Sequence, residues 1–153
     1  LPAVSVGGSL MVLGIGYGLL LVLSIGQGVG PFLSWAWLPL LVLAQVVLTF
    51  GLTLVLSMAH FLWRDVGSTV GFALQLGFYL TPIVYPLAQV PERFHIWFLL
   101  NPVACLVLAV QSVVLHMPVP QGTAWALVLW VVLLGGGGWW FFRSMKPVLG
   151  EAL

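Results

Sequence analysis

Charge is what this sequence has least of. Of its 153 residues, four are Lys or Arg and three are Asp or Glu, whereas a soluble domain of this length, at a typical ~25% charged, carries roughly 38 such residues. Residues 1–63, 66–91 and 94–142 contain no formal charge. A chain with so few charges cannot cover a water-facing surface, which excludes a soluble enzyme and a disordered tail. A net charge of +1 gives no basis for binding nucleic acid.

Residues that could act in catalysis or bind a metal ion or a nucleotide are equally scarce. The chain has one cysteine, Cys105, and no Cys/His pair has the spacing of metal ligands. It has no glycine loop followed by Lys and Ser/Thr that could hold ATP phosphates, and no intramembrane acid with a partner base. We therefore predict no catalytic residue, no metal site, no bound cofactor and no enzymatic activity. If the protein transports, its energy comes from another subunit.

Apolar residues are abundant, at 62% of the chain with a mean hydropathy of +1.21. About 20 apolar residues in a helix cross the ~30 Å hydrocarbon layer of a bilayer. Four apolar runs approach or exceed that length, at residues 3–25, 37–62, 66–82 and 122–142. The sequence therefore predicts an all-α polytopic membrane protein with four transmembrane helices in a single membrane domain.

Prolines set residues 86–118 apart from these runs. Pro86, Pro91, Pro102 and Pro118 divide the region into apolar pieces that are too short to span a membrane. Segments of 10–14 apolar residues are typical of re-entrant or interfacial helices. We predict two such short helices here, entering the bilayer from its outer side and returning to that side.

Basic residues fix the orientation of this arrangement. If residues 86–118 do not cross, Arg64 lies on the same side as Arg143 and Lys146, which the positive-inside rule makes cytoplasmic. A crossing would give five spans and place these residues on opposite sides. The count favours four spans, an outer position for Glu92 and Arg93, and a cytoplasmic C-terminus.

Glycines occur at helical spacing inside the apolar runs. Gly14 and Gly18, like Gly67 and Gly71, are four residues apart, and small residues at that spacing let two membrane helices approach closely. These four are predicted to be helix-packing positions. The run Gly135–Gly138 is either a hinge in the last span or another packing site.

Four short motifs then occur in a fixed order. Arg64-Asp65 follows the second span, Thr81-Pro82-Ile83-Val84-Tyr85-Pro86 follows the third, and Val90-Pro91-Glu92-Arg93 and Leu100-Asn101-Pro102 come next. In this order and spacing, the sequence resembles the permease subunit of ABC-2 type exporters, in the branch that exports lipid-linked polysaccharides and teichoic-acid-like polymers from bacteria. The resemblance covers essentially the whole chain but only the C-terminal two-thirds of such a permease. We therefore expect an N-terminal truncation, without the family's amphipathic helix and first two spans.

The resemblance implies roles for particular residues. Arg64 and Asp65 would form a cytoplasmic loop that couples to the ATPase. The outer gate would be shaped by Pro82, Tyr85, Pro86, Pro91, Glu92, Arg93, Asn101 and Pro102. The aromatic residues beside the polymer path would be Phe78, Tyr79, Tyr85 and Trp97.

The resemblance also implies partners and a location. A separate ABC ATPase subunit would bind ATP, and two copies of the permease would form a homodimer around a lipid-linked glycan in the bacterial plasma (inner) membrane. Two alternatives stay open. One is an ABC-2 permease for small lipids or drugs, and the other is a membrane scaffold subunit that transports nothing, in which the prolines serve packing alone.

Overall fold

The computed structural model describes residues 2–30, 33–62, 66–83, 85, 87–140 and 143–144, and all regular structure in these ranges is helical. The α-helices are α1 (Pro2–Gly26), α2 (Leu38–Leu62), α3 (Val66–Leu80), α4 (His95–Leu99), α5 (Pro102–Leu115) and α6 (Thr123–Val131). Short 3₁₀ turns lie at Leu33–Trp37, Leu87–Gln89 and Glu92–Phe94, and a π-helical turn at Val132–Gly136 prolongs α6. The predicted all-α fold is confirmed for this part of the chain.

Helix length separates the elements that can cross a bilayer from those that cannot. Among the described residues, two stretches are long and apolar enough, Leu33–Ser57 and Thr123–Trp140, and Met11–Gly26 in α1 is a shorter apolar helix. Helix α3 has 15 residues, or ~22 Å at 1.5 Å per residue, which is less than the ~30 Å layer. It ends at Leu80, two residues before the predicted boundary, because a proline at position 82 disfavours helix at the residue before it. The count of four spans stays a prediction.

The proline-rich region bends sharply instead of running straight. The chain bends by 113° between the segments Glu92–Leu99 and Pro102–Leu115. Asn101 causes the turn, since its backbone is extended (φ −103°, ψ 113°), as a residue before proline prefers. Its Oδ1 accepts hydrogen bonds from the backbone N–H groups of Val103 (3.0 Å) and Ala104 (3.4 Å), which begins α5 with a regular N-cap. We refer to residues 92–115 as the bent hairpin.

Helix α5 is the centre of the core. Ala104, Cys105 and Val114 on this helix are fully buried, and α5 packs against α2, α6 and the Leu33–Trp37 turn. An apolar helix without a polar face is suited to such a position. The Cys105 thiol donates to the carbonyl oxygens of Phe98 (3.6 Å) and Leu99 (3.5 Å), so the two arms of the bent hairpin are held against each other.

The closest helix approach joins α2 to the end of α6. A Cβ on Gly51 would collide with the carbonyl group of Leu134 and would lie 2.9 Å from the Gly135 nitrogen, and a Cβ on Gly138 would lie 2.7 Å from the Gly51 oxygen. This contact confirms a packing role for Gly135 and Gly138 within the glycine run. The π-helical turn overlaps the same contact.

The four predicted packing glycines lie elsewhere. A Cβ on Gly14, Gly18 or Gly71 would meet no described atom within 4 Å, and one on Gly67 would make an ordinary 3.6 Å contact with the His60 ring. No described helix of this chain approaches these four positions closely, and their role in helix packing stays a prediction. Spacing alone identifies a face that could pack but does not identify a partner for it.

Replacing Gly51 with alanine is expected to destabilise the protein. Overpacking a well-packed contact typically removes about 1–3 kcal/mol of unfolding free energy, and backbone atoms of Leu134 and Gly135 cannot move aside as a flexible side chain could. Thermal unfolding in one detergent, followed by circular dichroism, measures the effect. Gly14→Ala is the matched control, since open space surrounds that position. Equal melting temperatures for the two variants would contradict a tight α2–α6 contact.

Candidate functional site

A hydrogen-bonded network ties the end of α3 to the start of α5. Thr81, which is fully buried, donates through Oγ1 to the Gly77 carbonyl oxygen at 2.7 Å. The same Oγ1 accepts a hydrogen bond from Nδ2 of Asn101 at 3.2 Å. Asn101 thus caps α5 with its side-chain oxygen and holds α3 with its side-chain nitrogen.

A second tie is made further along α5. Nε2 of Gln111 donates to the carbonyl oxygen of Pro82 at 3.1 Å, just beyond the C-terminus of α3, where carbonyl groups have no helical partner. Pro82 itself is fully buried. Two ties at different levels of α5 fix the orientation of the bent hairpin relative to α3, where one tie would leave it free to pivot.

An aromatic groove opens beside this network. It has a volume of about 830 Å³ and lies between the second half of α3, α4 and the beginning of α5. Its walls include Phe78, Tyr85, Phe94, Trp97 and Phe98. Phe78 is 48% exposed and Trp97 is 65% exposed, so their rings are available to a molecule in the groove.

The structure brings together three of the four aromatic residues predicted for the polymer path. Phe78, Tyr85 and Trp97 line the groove, whereas Tyr79 does not and packs its ring edge to face against Phe78, with centroids 5.8 Å apart. The sequence interpretation missed Phe94 and Phe98. Their spacing of four residues, in a helical segment that also carries Trp97, was the available signal. The role of these residues in transport stays a prediction.

The predicted gate residues fall into two groups. Pro82, Tyr85, Asn101 and Pro102 surround the junction of α3 with α5, and Tyr85, Asn101 and Pro102 also line the aromatic groove. Pro91, Glu92 and Arg93 lie at the start of the bent hairpin and are exposed. Pro86 lies outside the described residues.

The two exposed charged residues at the start of the bent hairpin, Glu92 and Arg93, have different surroundings. The guanidinium carbon of Arg93 lies 4.9 Å from the centre of the Phe94 ring, a cation–π distance. Glu92 borders a separate cavity of about 690 Å³, together with His95, Pro118 and Pro120. Glu92 therefore lies beside a cavity, whereas Arg93 contacts a ring that lines the aromatic groove.

The predicted coupling loop, Arg64 and Asp65, lies outside the residues that the structure describes, as does Lys146. Arg143 is described and exposed. A contact of Arg64 or Asp65 with an ATPase therefore stays a prediction from the sequence.

Comparison with known proteins identifies relatives of this chain. It is 37% identical over 83 residues to an O-antigen export system permease protein RfbA of Klebsiella pneumoniae, which is 54% of this chain and 32% of that protein. A second Klebsiella protein of the same name is 36% identical over 83 residues, with the same coverage. The protein of that name from Myxococcus xanthus is 29% identical over 106 residues, which is 68% of this chain and 41% of that protein.

These relatives confirm the resemblance to ABC-2 type export permeases. The matched region is between about a third and two-fifths of the length of each relative. No protein-family model and no solved structure matches the chain. Homology to O-antigen export permeases and apolar helices of spanning length indicate a multi-pass protein of the inner membrane.

Proposed function

We propose that this chain is part of the membrane-spanning permease subunit of an ABC exporter that moves a lipid-linked polysaccharide across the bacterial inner membrane. The observation that carries the proposal is the bent hairpin, which turns by 113° beside an aromatic groove and is tied to α3 at two levels. The names of the relatives, as O-antigen export permeases, favour a polysaccharide over a small lipid or drug.

In this proposal α1, α2, α3 and α6 cross the membrane and the bent hairpin enters and leaves on the outer side. A proline in a membrane segment frees carbonyl groups that need another partner or a water-lined cavity. Gln111 supplies such a partner to the Pro82 carbonyl oxygen. The bent hairpin can then act as an outer gate whose position depends on α3, because the ties to Thr81 and Pro82 would carry a movement of α3 to it.

The energy for transport would come from a separate ABC ATPase on the cytoplasmic side, and two permease copies would enclose the path. The loop with Arg64 and Asp65 joins α2 to α3 with few residues, so a push on that loop would be passed along α3 to the bent hairpin. The exported chain would slide along the aromatic groove, where ring faces bind the apolar faces of sugars without fixing them in one register.

The test is co-purification of the protein, expressed in its own host from its own gene, with an ABC ATPase subunit. Arg64→Glu or Asp65→Lys is expected to reduce the recovered ATPase at least fivefold, because a reversed charge in a short docking loop repels the surface that it previously attracted. Arg93→Glu is the matched control, since it reverses a charge on the bent hairpin, on the opposite membrane face in this proposal.

Two results would count against the proposal. If the unaltered protein recovers no ATPase and supports no polysaccharide on the surface of cells that lack their own exporter, the scaffold alternative is favoured. If Arg64→Glu and Arg93→Glu recover equal amounts of ATPase, the coupling role of the loop is wrong.

A further inference from the structure

Another cavity, distinct from the one beside Glu92, lies next to the aromatic groove and differs from that groove in the chemistry of its walls. It has a volume of about 450 Å³, within the range of ligand sites, and is bounded by α1, α2 and α5. Three polar side chains reach its wall, Tyr17, Gln45 and Gln111, and its other lining residues are aliphatic or glycine. None of the charged residues that the structure describes lines it. We refer to it as the polar cavity.

The two glutamines of the polar cavity each have an unused hydrogen-bonding atom. The Tyr17 hydroxyl donates to Oε1 of Gln45 at 3.0 Å, and Nε2 of Gln111 donates to the Pro82 carbonyl oxygen. Within the described part of the chain, Nε2 of Gln45 and Oε1 of Gln111 have no hydrogen-bond partner. Neither atom is fully buried without a partner, and both glutamine side chains line the polar cavity.

The polar cavity adjoins the aromatic groove. Ile83 and Val103 line both of them, and these side chains are 48% and 46% exposed. The two spaces therefore share part of their walls. A chain held in the aromatic groove would have the polar cavity at its side.

The chemistry of the polar cavity selects among ligands. An amide donor and an amide acceptor between aliphatic walls match a neutral hydroxyl group, which both accepts and donates a hydrogen bond. A lipid tail would leave both amide atoms unpaired in an apolar space, where each unsatisfied group costs several kcal/mol. A phosphate would meet no positive charge there.

We propose that the polar cavity binds the hydroxyl groups of a neutral sugar unit of the exported chain, through Nε2 of Gln45 and Oε1 of Gln111. The aromatic groove would hold the apolar faces of the sugars, and the polar cavity would hold their hydroxyl edges. This inference rests on the proposed function, since it names a contact of the same transport path.

Thiol labelling tests the inference in cells that contain the protein and the ATPase subunit. The chain has a single cysteine, and Cys105 is buried, so an introduced cysteine reacts against a low background. Gln45→Cys and Gln111→Cys are labelled with a small sulfonated methanethiosulfonate, in cells that make the polysaccharide and in cells whose polysaccharide synthesis is blocked. We expect labelling at both positions to be at least fivefold slower when the polysaccharide is present.

The control is Gln75→Cys, because Gln75 is an exposed glutamine of α3 that lines neither space. Its labelling rate should be the same in both kinds of cell. In parallel, Gln45→Leu is expected to lower surface polysaccharide at least fivefold, and Gln75→Leu to change it less than twofold.

Three outcomes would overturn the inference. Equal labelling rates at positions 45 and 111 with and without polysaccharide would show that the polymer does not enter the polar cavity. No labelling in either kind of cell would show that the polar cavity is filled by lipid. In both cases, export by the unaltered protein would leave the proposed function standing. Failure of the unaltered protein to export would instead overturn the proposed function and this inference together.

Discussion

Thr81→Val is expected to lower polysaccharide export about tenfold or more while the ATPase continues to hydrolyse ATP. Valine keeps the size and branching of threonine and removes only the hydroxyl group. The Asn101 side-chain nitrogen then loses its acceptor and the Gly77 carbonyl loses a donor. Leaving a buried polar group unpaired costs about 1–3 kcal/mol. The tie that holds the bent hairpin at the end of α3 would open while the Asn101 cap of α5 remains in place.

Thr53→Val is the matched control for this substitution. Thr53 also donates to the carbonyl oxygen four residues earlier at 2.7 Å, but it is exposed and receives no hydrogen bond from another of the described helices. Surface polysaccharide and ATPase activity are measured for both variants at equal amounts of membrane protein. Export that falls equally in both variants, or ATPase activity that falls in step with export for Thr81→Val, would contradict a role in coupling.

Asn101→Ser separates the two functions of the asparagine. Serine is a good N-cap, but its shorter side chain carries no amide nitrogen that could reach Thr81. If the tie to α3 is what matters, Asn101→Ser should lower export as Thr81→Val does. If Asn101→Ser exports normally, the N-cap of α5 is enough for export, and the hydrogen bond between Asn101 and Thr81 has only a structural role.

The sequence predicts the type of architecture well because the signals are local. Scarce charge and long apolar runs indicate membrane helices, and proline positions indicate where they break. The bend between α4 and α5 follows from Asn101 and Pro102, which are adjacent in the chain. The apolar runs and the proline positions therefore suffice to predict the helices and, to within a few residues, their ends.

The contacts between helices are not predictable in the same way. Thr81 and Asn101 are 20 residues apart, and nothing in their types distinguishes Thr81 from Thr53. The Gly51 contact with Leu134 joins positions that no spacing rule connects. Gly14 and Gly18 have the favourable spacing but no described partner. Residue spacing describes one surface of one helix, whereas a packing contact depends on the surfaces of two helices.

Trp97→Ala is expected to lower export about tenfold, and Trp97→Phe to preserve most of it. The Trp97 ring is 65% exposed and lines the aromatic groove, so little protein stability depends on it. Removing one ring that contacts sugar would remove on the order of 1.4 kcal/mol of binding, which corresponds to a tenfold change in an equilibrium. Phenylalanine keeps a flat aromatic face for the apolar side of a sugar ring.

Trp125→Ala is the matched control, because Trp125 on α6 is 79% exposed and lines neither the aromatic groove nor the polar cavity. Both alanine variants should unfold at nearly the same temperature as the unaltered protein, since both side chains are largely exposed. Surface polysaccharide should then fall for Trp97→Ala alone. If Trp97→Ala exports as well as Trp125→Ala, the rings of this groove do not contact the exported chain, and they serve as a membrane-interface anchor instead.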